Sequence, residues 1–198
     1  MPSSPKISKQ FMIETAFDML CKQGYSAINI KTLAKEIGCS TQPISRQFGG
    51  MEGLRKELLD YCVGFMESFF QPEGDTALDV IMSISMGYIK MAFDYPNLYK
   101  YFYMSETEGE RMSVIVGNLR VTNLAKLLER LESEYGVSKE AANRFVNNVT
   151  FYVHGIASYA SVGFGYYSKD KVAASIKIAA SIKIAANVFL EQAKAESK

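Results

Sequence analysis

Residues 36–54 read EIGCSTQPISRQFGGMEGL, and this stretch contains the signals that end one helix and start two more. Gly38 is typical of the residue that follows a helix, and Ser40 is typical of the residue that caps the next one. Pro43 falls in the first turn of that helix, where its missing N–H costs little. A pair of glycines after Phe48 ends the helix. The stretch therefore predicts two short helices joined by a three-residue turn, which is the form of a helix-turn-helix.

Helical periodicity continues on both sides of this stretch. Apolar residues at helical spacing predict a first helix over residues 8–23 and a second from residue 30 that is capped by Asn29. A long fourth helix follows the glycine pair and ends near Gln71 and Pro72. We predict an all-α fold of about nine helices, with a three-helix N-terminal domain (1–50), a connecting fourth helix (51–72) and a C-terminal domain (73–198).

The third helix has an apolar face and a polar face. Steps of about 100° per residue place Ile44 and Phe48 on one side, where they must enter the core formed with the first two helices. Gln42 and Arg46 fall on the opposite side. Glutamine can pair with adenine, and arginine with guanine or a phosphate, so this face suits DNA. The alternative is a solvated face on an ordinary helical hairpin.

The charge of the chain is uneven along its length. Residues 1–50 carry six Lys or Arg against three acidic residues, whereas residues 51–198 carry 16 basic and 18 acidic residues. The two parts therefore have net charges of +3 and −2. A basic N-terminal part suits a partner such as DNA, although a difference of this size also arises by chance.

Composition argues against several classes of protein. A content of 48% hydrophobic and 22% charged residues is that of a globular protein. The chain has no apolar run of eighteen residues and its first residues lack the apolar core of a signal peptide, so we expect a cytoplasmic protein without a membrane partner. The three cysteines lie far apart and there is one histidine, so we expect no disulfide framework, no metal site and no cofactor.

Catalytic motifs are also missing from the C-terminal two thirds of the sequence. Residues 75–198 contain no G-x-S-x-G, no P-loop and no H-E-x-x-H motif. A lone histidine on an apolar helix, here His154, is more often a packing or interface residue than a catalyst. We therefore do not expect an enzyme, and catalysis by His154 is kept as an alternative.

The region from Ile13 to about Tyr61 resembles the DNA-binding domain of the TetR family of bacterial transcriptional repressors. In that family an alanine-rich first helix ends in glycine, and a second helix reads T-x-x-x-[IL]-A-x-x-x-G. A third helix reads S-x-x-x-[LI]-Y-x-x-F, and a fourth begins K-x-x-L. The matching positions here are Ala16, Gly24, Ile30, Leu33, Ala34, Gly38, Ser40, Ile44, Phe48 and Leu54.

Two positions depart from the pattern of that family. Ser45 stands where the family has a tyrosine that touches the DNA backbone, and Met51 stands where it has a lysine. Two phosphate contacts are therefore weakened or lost, while Lys31 and the first N–H groups of the fourth helix can still meet phosphates. The candidate DNA-binding residues are Lys31, Thr41, Gln42, Pro43, Ser45, Arg46, Gln47, Gly50 and Met51.

Aromatic and methionine side chains are concentrated between residues 82 and 112. The sequence Asp94-Tyr95-Pro96 should break a helix there, so that the two halves splay and leave a cavity for a greasy, partly polar small molecule. Ordinary core packing is the alternative. The segment YPNLYKYFYM also resembles the hP-x-L-Y segment of TetR-type effector domains. The candidate pocket residues are Met82, Met86, Tyr88, Met91, Tyr95, Tyr99, Phe102, Tyr103 and Met112.

The last two helices are suited to self-association. A helix predicted over about residues 138–166 carries a series of small residues, which let a partner helix approach closely, although a helix buried within one chain is the alternative. The TetR resemblance implies a homodimer formed through a four-helix bundle of the last two helices. The candidate dimer residues are Tyr152, His154, Gly155, Ile156, Tyr159, Ile182 and Phe189.

The final helix contains a direct repeat, SIKIAA, at residues 175–180 and 181–186. A step of six residues turns a helix by about 600°, which is about 120° short of two full turns. The two copies therefore cannot present the same face, and Lys177 and Lys183 are predicted to point in different directions.

The resemblance implies a homodimeric, ligand-responsive regulator of transcription. Such a protein would bind a near-palindromic operator in double-stranded DNA, and a small hydrophobic or aromatic effector would release it. Because Ser45 and Met51 replace two phosphate-contacting residues, the alternative is a helical ligand-binding or protein-interaction module without sequence-specific DNA binding.

Overall fold

The computed structural model of the protein describes residues 7–104, 121–163 and 171–197. Within those residues there are nine α-helices, one 3-10 turn at Tyr25–Ala27 and no strand. The predicted all-α fold of about nine helices is confirmed. The helices are α1 (Lys9–Gln23), α2 (Ile30–Ile37), α3 (Thr41–Phe48), α4 (Met51–Glu67), α5 (Ala77–Asp94), α6 (Pro96–Tyr103), α7 (Val121–Tyr135), α8 (Lys139–Ser161) and α9 (Lys171–Glu196).

Packing divides these helices into two compact units. The first unit contains α1 to α3, α4 as far as Met66, and α6 from Asn97. The second unit contains the segment from Glu67 through α5, together with α7, α8 and α9. This division follows contacts and not function, so the predicted domains of residues 1–50, 51–72 and 73–198 stay a prediction.

The first two helices begin where the sequence predicts, within one residue, and each begins at a side-chain cap. Ser8 Oγ accepts a hydrogen bond from the N–H of Phe11 at 3.1 Å, which caps α1. Asn29 Oδ1 accepts from the N–H groups of Lys31 and Thr32, both at 3.0 Å. Thr32 Oγ1 in turn accepts from the N–H of Asn29 at 3.1 Å, which completes a capping box at the start of α2. Both predicted helix starts are therefore confirmed.

The first unit is built around a small apolar core between α1, α2 and α3. Each helix turns one face inward, and each buried leucine, isoleucine or methionine side chain contributes about 1.5–3 kcal/mol. The inward side chains that are fully shielded from solvent are Met12, Ala16, Leu20, Leu33 and Ile44.

Helix α4 ends earlier than the sequence predicts, at Glu67 and not near Gln71 and Pro72. The side-chain amide of Gln71 donates to the carbonyl oxygen of Glu67 at 2.8 Å, and the N–H of Phe70 donates to the same oxygen at 3.3 Å. These two bonds satisfy a carbonyl at the helix end, where the chain otherwise leaves acceptors unpaired. The chain can therefore leave the helix before it reaches Pro72.

In the second unit α8 and α9 lie side by side and run antiparallel. Arg144 near the start of α8 forms a 2.8 Å ion pair with Glu196 at the end of α9. Midway along both helices the hydroxyl groups of Tyr152 and Ser181 are 2.6 Å apart. Each helix buries a stripe of apolar residues at helical spacing, which comprises Phe145, Val149, Val153 and Ala157 on α8 and Ile178, Ile182, Ala186 and Leu190 on α9.

The start of α5 is held by bonds from its own cap and from α7. Thr76 Oγ1 accepts from the N–H of Asp79 at 3.2 Å, and the Asp79 carboxylate accepts from the N–H of Thr76 at 3.1 Å. Glu134 of α7 accepts from the N–H of Ala77 at 2.6 Å and from Arg130 Nε at 2.7 Å. The pKa of Glu134 is lowered, chiefly because the Ala77 N–H donates to its carboxylate, and Arg130 adds to the effect.

The two copies of the SIKIAA repeat bury different isoleucines. In the first copy Ile176 is 67% exposed and Ile178 is buried. In the second copy Ile182 is fully buried and Ile184 is 66% exposed. The prediction that the copies present different faces is confirmed, because the first isoleucine is exposed and the second buried in one copy, and the reverse holds in the other.

Candidate nucleic-acid interface

The turn between α2 and α3 is set by Gly38. Its backbone is left-handed, with φ of 77° and ψ of 34°, a conformation that a residue with a side chain rarely adopts. The N–H of Cys39 bonds to the carbonyl oxygen of Ala34 at 2.9 Å, which closes the end of α2. The chain then reverses within three residues and starts α3 at Thr41.

Helix α3 has the two faces that its sequence predicts. Ile44 is fully buried and Phe48 is buried, so these two residues fix the helix to the core of the first unit. The remaining side chains are available to a partner: Thr41, Gln42, Ser45 and Arg46 are exposed, and Pro43 and Gln47 are half-buried. The buried side chains of Ile44 and Phe48 thus hold a short helix whose exposed face is polar.

The end of α3 is also held by a residue of α1. Lys9 Nζ lies 5.5 Å from the centre of the Phe48 ring, within the range of a cation–π interaction. The same ammonium group forms a 2.5 Å ion pair with Glu57 of α4. Lys9 therefore links the three helices that meet at the end of α3.

Helix α4 begins close to the end of α3. Gly49 and Gly50 have φ of 70° and 110°, so the chain turns here through conformations that favour glycine. A Cβ on Gly53 would lie 1.8 Å from the carbonyl oxygen of Phe48, so only glycine permits this approach of the two helices. The first N–H groups of α4, from Met51 onward, lie directly after this turn, and helix N-termini attract phosphates.

Exposed basic side chains lie on the helices that precede and follow α3 in the sequence. Lys31 and Lys35 are exposed on α2, and Arg55 and Lys56 are exposed on the second turn of α4. Their charges suit the phosphate backbone, which dominates the affinity of proteins for DNA.

The predicted effector-pocket residues are divided between the two units. Met82, Met86, Tyr88, Met91 and Tyr95 lie on or next to α5 in the second unit, and the break at Asp94-Tyr95-Pro96 is where the sequence predicts it. Tyr99, Phe102 and Tyr103 lie on α6 and belong to the first unit, where Tyr99 and Phe102 are fully buried. Met112 lies outside the described residues.

The predicted pocket and dimer residues meet at one hydrogen bond. The hydroxyl group of Tyr88 on α5 lies 2.8 Å from Nδ1 of His154 on α8, and both side chains are half-buried. The Tyr88 ring also lies 6.1 Å from the ring of Phe70. This part of the second unit therefore combines aromatic surface with a polar hydroxyl–imidazole pair.

Within the first unit, α6 is attached to the end of α1. The side-chain amide of Asn97 donates to the carbonyl oxygen of Cys21 at 3.0 Å. The rings of Tyr25 and Tyr101 lie 4.7 Å apart. The sequence does not predict this attachment, because a single amide and one tilted ring pair carry no periodic signal.

The predicted dimer residues differ in their exposure. Tyr152, Gly155 and Tyr159 are exposed on α8, while His154 on α8 and Phe189 on α9 are half-buried. Ile156 and Ile182 are buried among the helices of their own chain.

A larger apolar surface lies beside these exposed residues and was missed from the sequence. Phe151 is 72% exposed and falls one helical turn before Gly155. On α9 an exposed stripe follows the same kind of spacing. We call these residues the α8–α9 face: Phe151, Tyr152, Gly155 and Tyr159 on α8, Val162 directly after it, and Ile176, Ala180, Ile184 and Val188 on α9.

Two other kinds of site are absent from the described ranges. No group of three or more His, Cys, Asp or Glu residues is placed there to hold a metal ion. Across those same ranges no helix combines the length and the apolar character needed to cross a lipid bilayer.

Comparison with known proteins supports the fold. The crystal structure of a Rhodococcus sp. protein, assigned by inference to the TetR-family transcriptional regulators, matches with a TM-score of 0.63 at 13% identity over 90% of this chain and 96% of that chain. A protein of Rhodococcus sp. RHA1 with a similar assignment matches with a TM-score of 0.47 at 20% identity over 91% of this chain and 98% of that chain. No protein-family model matches the chain. No curated protein matches it either.

The first of these matches confirms, at the level of the fold, the resemblance drawn from the sequence. The chain has the all-helical fold of a protein assigned to the TetR-family regulators.

Proposed function

We propose that this protein is a DNA-binding transcriptional regulator, a homodimeric repressor that a small effector releases from its operator. The observation that supports DNA binding best is the exposed polar face of α3, held on the core by Ile44 and Phe48. A helix-turn-helix offers its second helix to the major groove, and an exposed polar face is what that placement requires.

The roles within the interface follow from side-chain chemistry. We assign base contacts to Gln42 and Arg46, since glutamine pairs with adenine and arginine with guanine through two hydrogen bonds each. Thr41, Ser45 and Gln47 flank them and provide hydrogen bonds to the DNA backbone. Pro43 adds a half-buried apolar surface in the first turn of α3.

Phosphate contacts come from outside α3. Lys31 is exposed at the start of α2, and the N–H groups after Gly50, beginning with Met51, lie at the start of α4. This chain lacks the tyrosine and the lysine found at positions 45 and 51 in the family that it resembles. We therefore expect a weaker electrostatic contribution and a greater share of the binding energy from Gln42 and Arg46.

Two copies of the chain would pair through the α8–α9 face. Nine exposed positions, most of them apolar, lie on two adjacent helices or directly after one of them, whereas isolated exposed apolar side chains are common on any protein. Such a face ordinarily packs against the same face of a second copy of the chain, and the twofold symmetry of that dimer matches a near-palindromic operator.

The effector site is proposed around Tyr88 and His154 in the second unit. A small apolar or aromatic molecule would pack against Phe70 and the methionines of α5, and the hydroxyl–imidazole pair would provide its polar contact. This arrangement uses His154 for binding and not for catalysis. The effector releases DNA only if it binds the two conformations of the dimer with different affinities.

A mobility-shift assay with the DNA upstream of the protein's own gene tests DNA binding. We expect a specific complex whose affinity falls as the salt concentration rises. Replacing Gln42 or Arg46 by alanine should cost about 1–3 kcal/mol of specific binding at each half-site. Lys126→Ala removes one positive charge from an exposed position on α7, and Gln192→Ala removes an exposed glutamine from α9, so both serve as matched controls.

Two outcomes would contradict the proposal. The first is the lack of any specific, salt-sensitive complex with that DNA or with a sequence selected from random duplexes. The second is that the alanine variants of Gln42 and Arg46 bind the DNA as tightly as the control variants do. Either result would favour a helical ligand-binding or protein-interaction module without sequence-specific DNA binding.

A further inference from the structure

A groove of about 440 Å³ lies on the surface of the first unit, and its lining includes none of the residues assigned above to DNA. Its walls come from α1, α4 and the last turn of α2. Its aromatic lining comprises Phe11, Phe17, Tyr61 and Phe65. None of the residues assigned to the effector site or to the α8–α9 face takes part in it.

The aromatic rings form a preorganised wall. Phe17 lies 5.2 Å from the Tyr61 ring in an edge-on arrangement and 4.7 Å from the Phe65 ring. Phe17 itself is buried, so it supports the two other rings from behind. Phe11 is 51% exposed at the edge of the groove, so part of its ring is open to an occupant.

Carboxylates line the same groove. Glu14 and Asp18 are four residues apart on α1 and therefore share one face, and Glu36 comes from the end of α2. The single basic residue of the lining is Lys22, whose ammonium group lies 3.5 Å from the Asp18 carboxylate. The lining thus carries three negative charges and one positive charge.

The carboxylates and the ring of Tyr61 act on one another. The pKa of the Tyr61 hydroxyl is raised, first by partial burial and then by the negative charges of Glu14 and Asp18. A cation placed against this ring would therefore feel both the ring face and the two carboxylates.

The geometry points to an organic cation as the occupant of this groove, namely an ammonium group that carries an apolar substituent. Aromatic faces with adjacent carboxylates attract quaternary and primary ammonium groups through cation–π and charge interactions. A bare metal ion does not fit, because no three ligating side chains of the described residues converge, in this groove or elsewhere. A groove of 440 Å³ also has the size of a small-molecule site.

Choline serves as the probe, and its neutral carbon analogue, neohexyl alcohol, serves as the control for charge. Both are titrated into the isotope-labelled full-length protein, and amide chemical shifts are followed by NMR. We expect saturable shifts at α1 and at the second half of α4 with choline, and binding of neohexyl alcohol that is at least about fivefold weaker.

Variants locate the site. Glu14→Gln and Asp18→Asn should each weaken choline binding about fivefold, which is the effect of one unit charge at about 4 Å in a watery environment. Tyr61→Leu should also weaken it, because an apolar side chain lacks the negative ring face. Glu129→Gln removes an exposed carboxylate from α7 and should leave binding unchanged.

Three results would overturn the inference. One is the lack of a saturable shift with choline, and another is equal binding of choline and neohexyl alcohol. The third is that Glu14→Gln and Asp18→Asn bind choline as tightly as the control variant Glu129→Gln does. None of these depends on DNA, so the groove and the proposed regulator are tested separately.

Discussion

Alanine in place of Gly53 tests how α4 is set against the end of α3. A Cβ at this position would lie 1.8 Å from the carbonyl oxygen of Phe48 and 2.9 Å from its carbonyl carbon. Both atoms belong to the backbone, so no change of side-chain rotamer relieves the contact. Ordinary contact begins near 3.4 Å, so the two helices must separate by the difference between 3.4 and 1.8 Å, which is 1.6 Å.

The expected cost follows from two opposing effects. Forcing an extra methyl group into a packed region costs about 1–3 kcal/mol. Alanine inside a helix is favoured over glycine by about 0.5–1 kcal/mol. We therefore expect Gly53→Ala to lower the free energy of unfolding by up to about 2.5 kcal/mol.

Gly64 provides the matched control within the same helix. It is exposed, and no atom lies within 4 Å of the position of its Cβ. Gly64→Ala should therefore raise the free energy of unfolding by about 0.5–1 kcal/mol, since only the helix preference acts. Because the two substitutions make the same chemical change in one helix, their difference isolates the contact with Phe48.

Urea unfolding followed by far-ultraviolet circular dichroism measures both variants. DNA affinity should fall as well for Gly53→Ala, because the start of α4 moves away from α3. The reasoning is refuted if Gly53→Ala is as stable as Gly64→Ala, since the close approach would then cost nothing.

Three further predictions concern the dimer, the response to acid and a helix cap. Gly155 has open space around the position of its Cβ, so Gly155→Leu should leave the subunit folded but shift the protein from dimer to monomer in analytical ultracentrifugation; an intact dimer contradicts the α8–α9 face. The pKa of Glu134 is lowered in the folded chain, so its stabilisation is present above the ordinary glutamate pKa of about 4.3 and is lost as the pH falls through the lowered value. Glu134→Gln should flatten this acid dependence in urea unfolding, and an unchanged profile would exclude Glu134 as its source. Asn29→Ala removes the acceptor of two N–H groups and should cost about 0.5–2 kcal/mol of stability by the same assay, whereas exposed Asn187 on α9 provides a neutral asparagine control.

Local signals explain why much of the first unit could be predicted from the sequence. Ser8 and Asn29 start their helices with side-chain acceptors, and Gly38 ends α2 in the left-handed conformation. Ile44 and Phe48 recur at four-residue spacing, so periodicity alone assigns them to the core. These features depend on a few neighbouring residues, and a sequence displays neighbours directly.

Contacts between distant segments explain what could not be predicted. Gly53 reads as an ordinary glycine inside a helix, and only the carbonyl oxygen of Phe48 shows why no side chain fits there. Asn97 reads as a helix-start residue, yet its amide binds the end of α1. The seven predicted dimer residues included Ile156 and Ile182, which are buried, because periodicity identifies an apolar face without identifying what covers it.

The repeat in α9 shows how one sequence can meet both needs of an interface helix. A helix that lies between its own core and a partner needs apolar residues on two opposite faces. Six-residue copies turn by about 120° relative to each other, so each isoleucine pair places one member inward and one outward in reversed order. Ile178 and Ile182 fill the core, while Ile176 and Ile184 extend the α8–α9 face. The repeat therefore supplies the subunit core and the proposed dimer surface from different isoleucines of the same twelve residues, and a single apolar stripe could not do both.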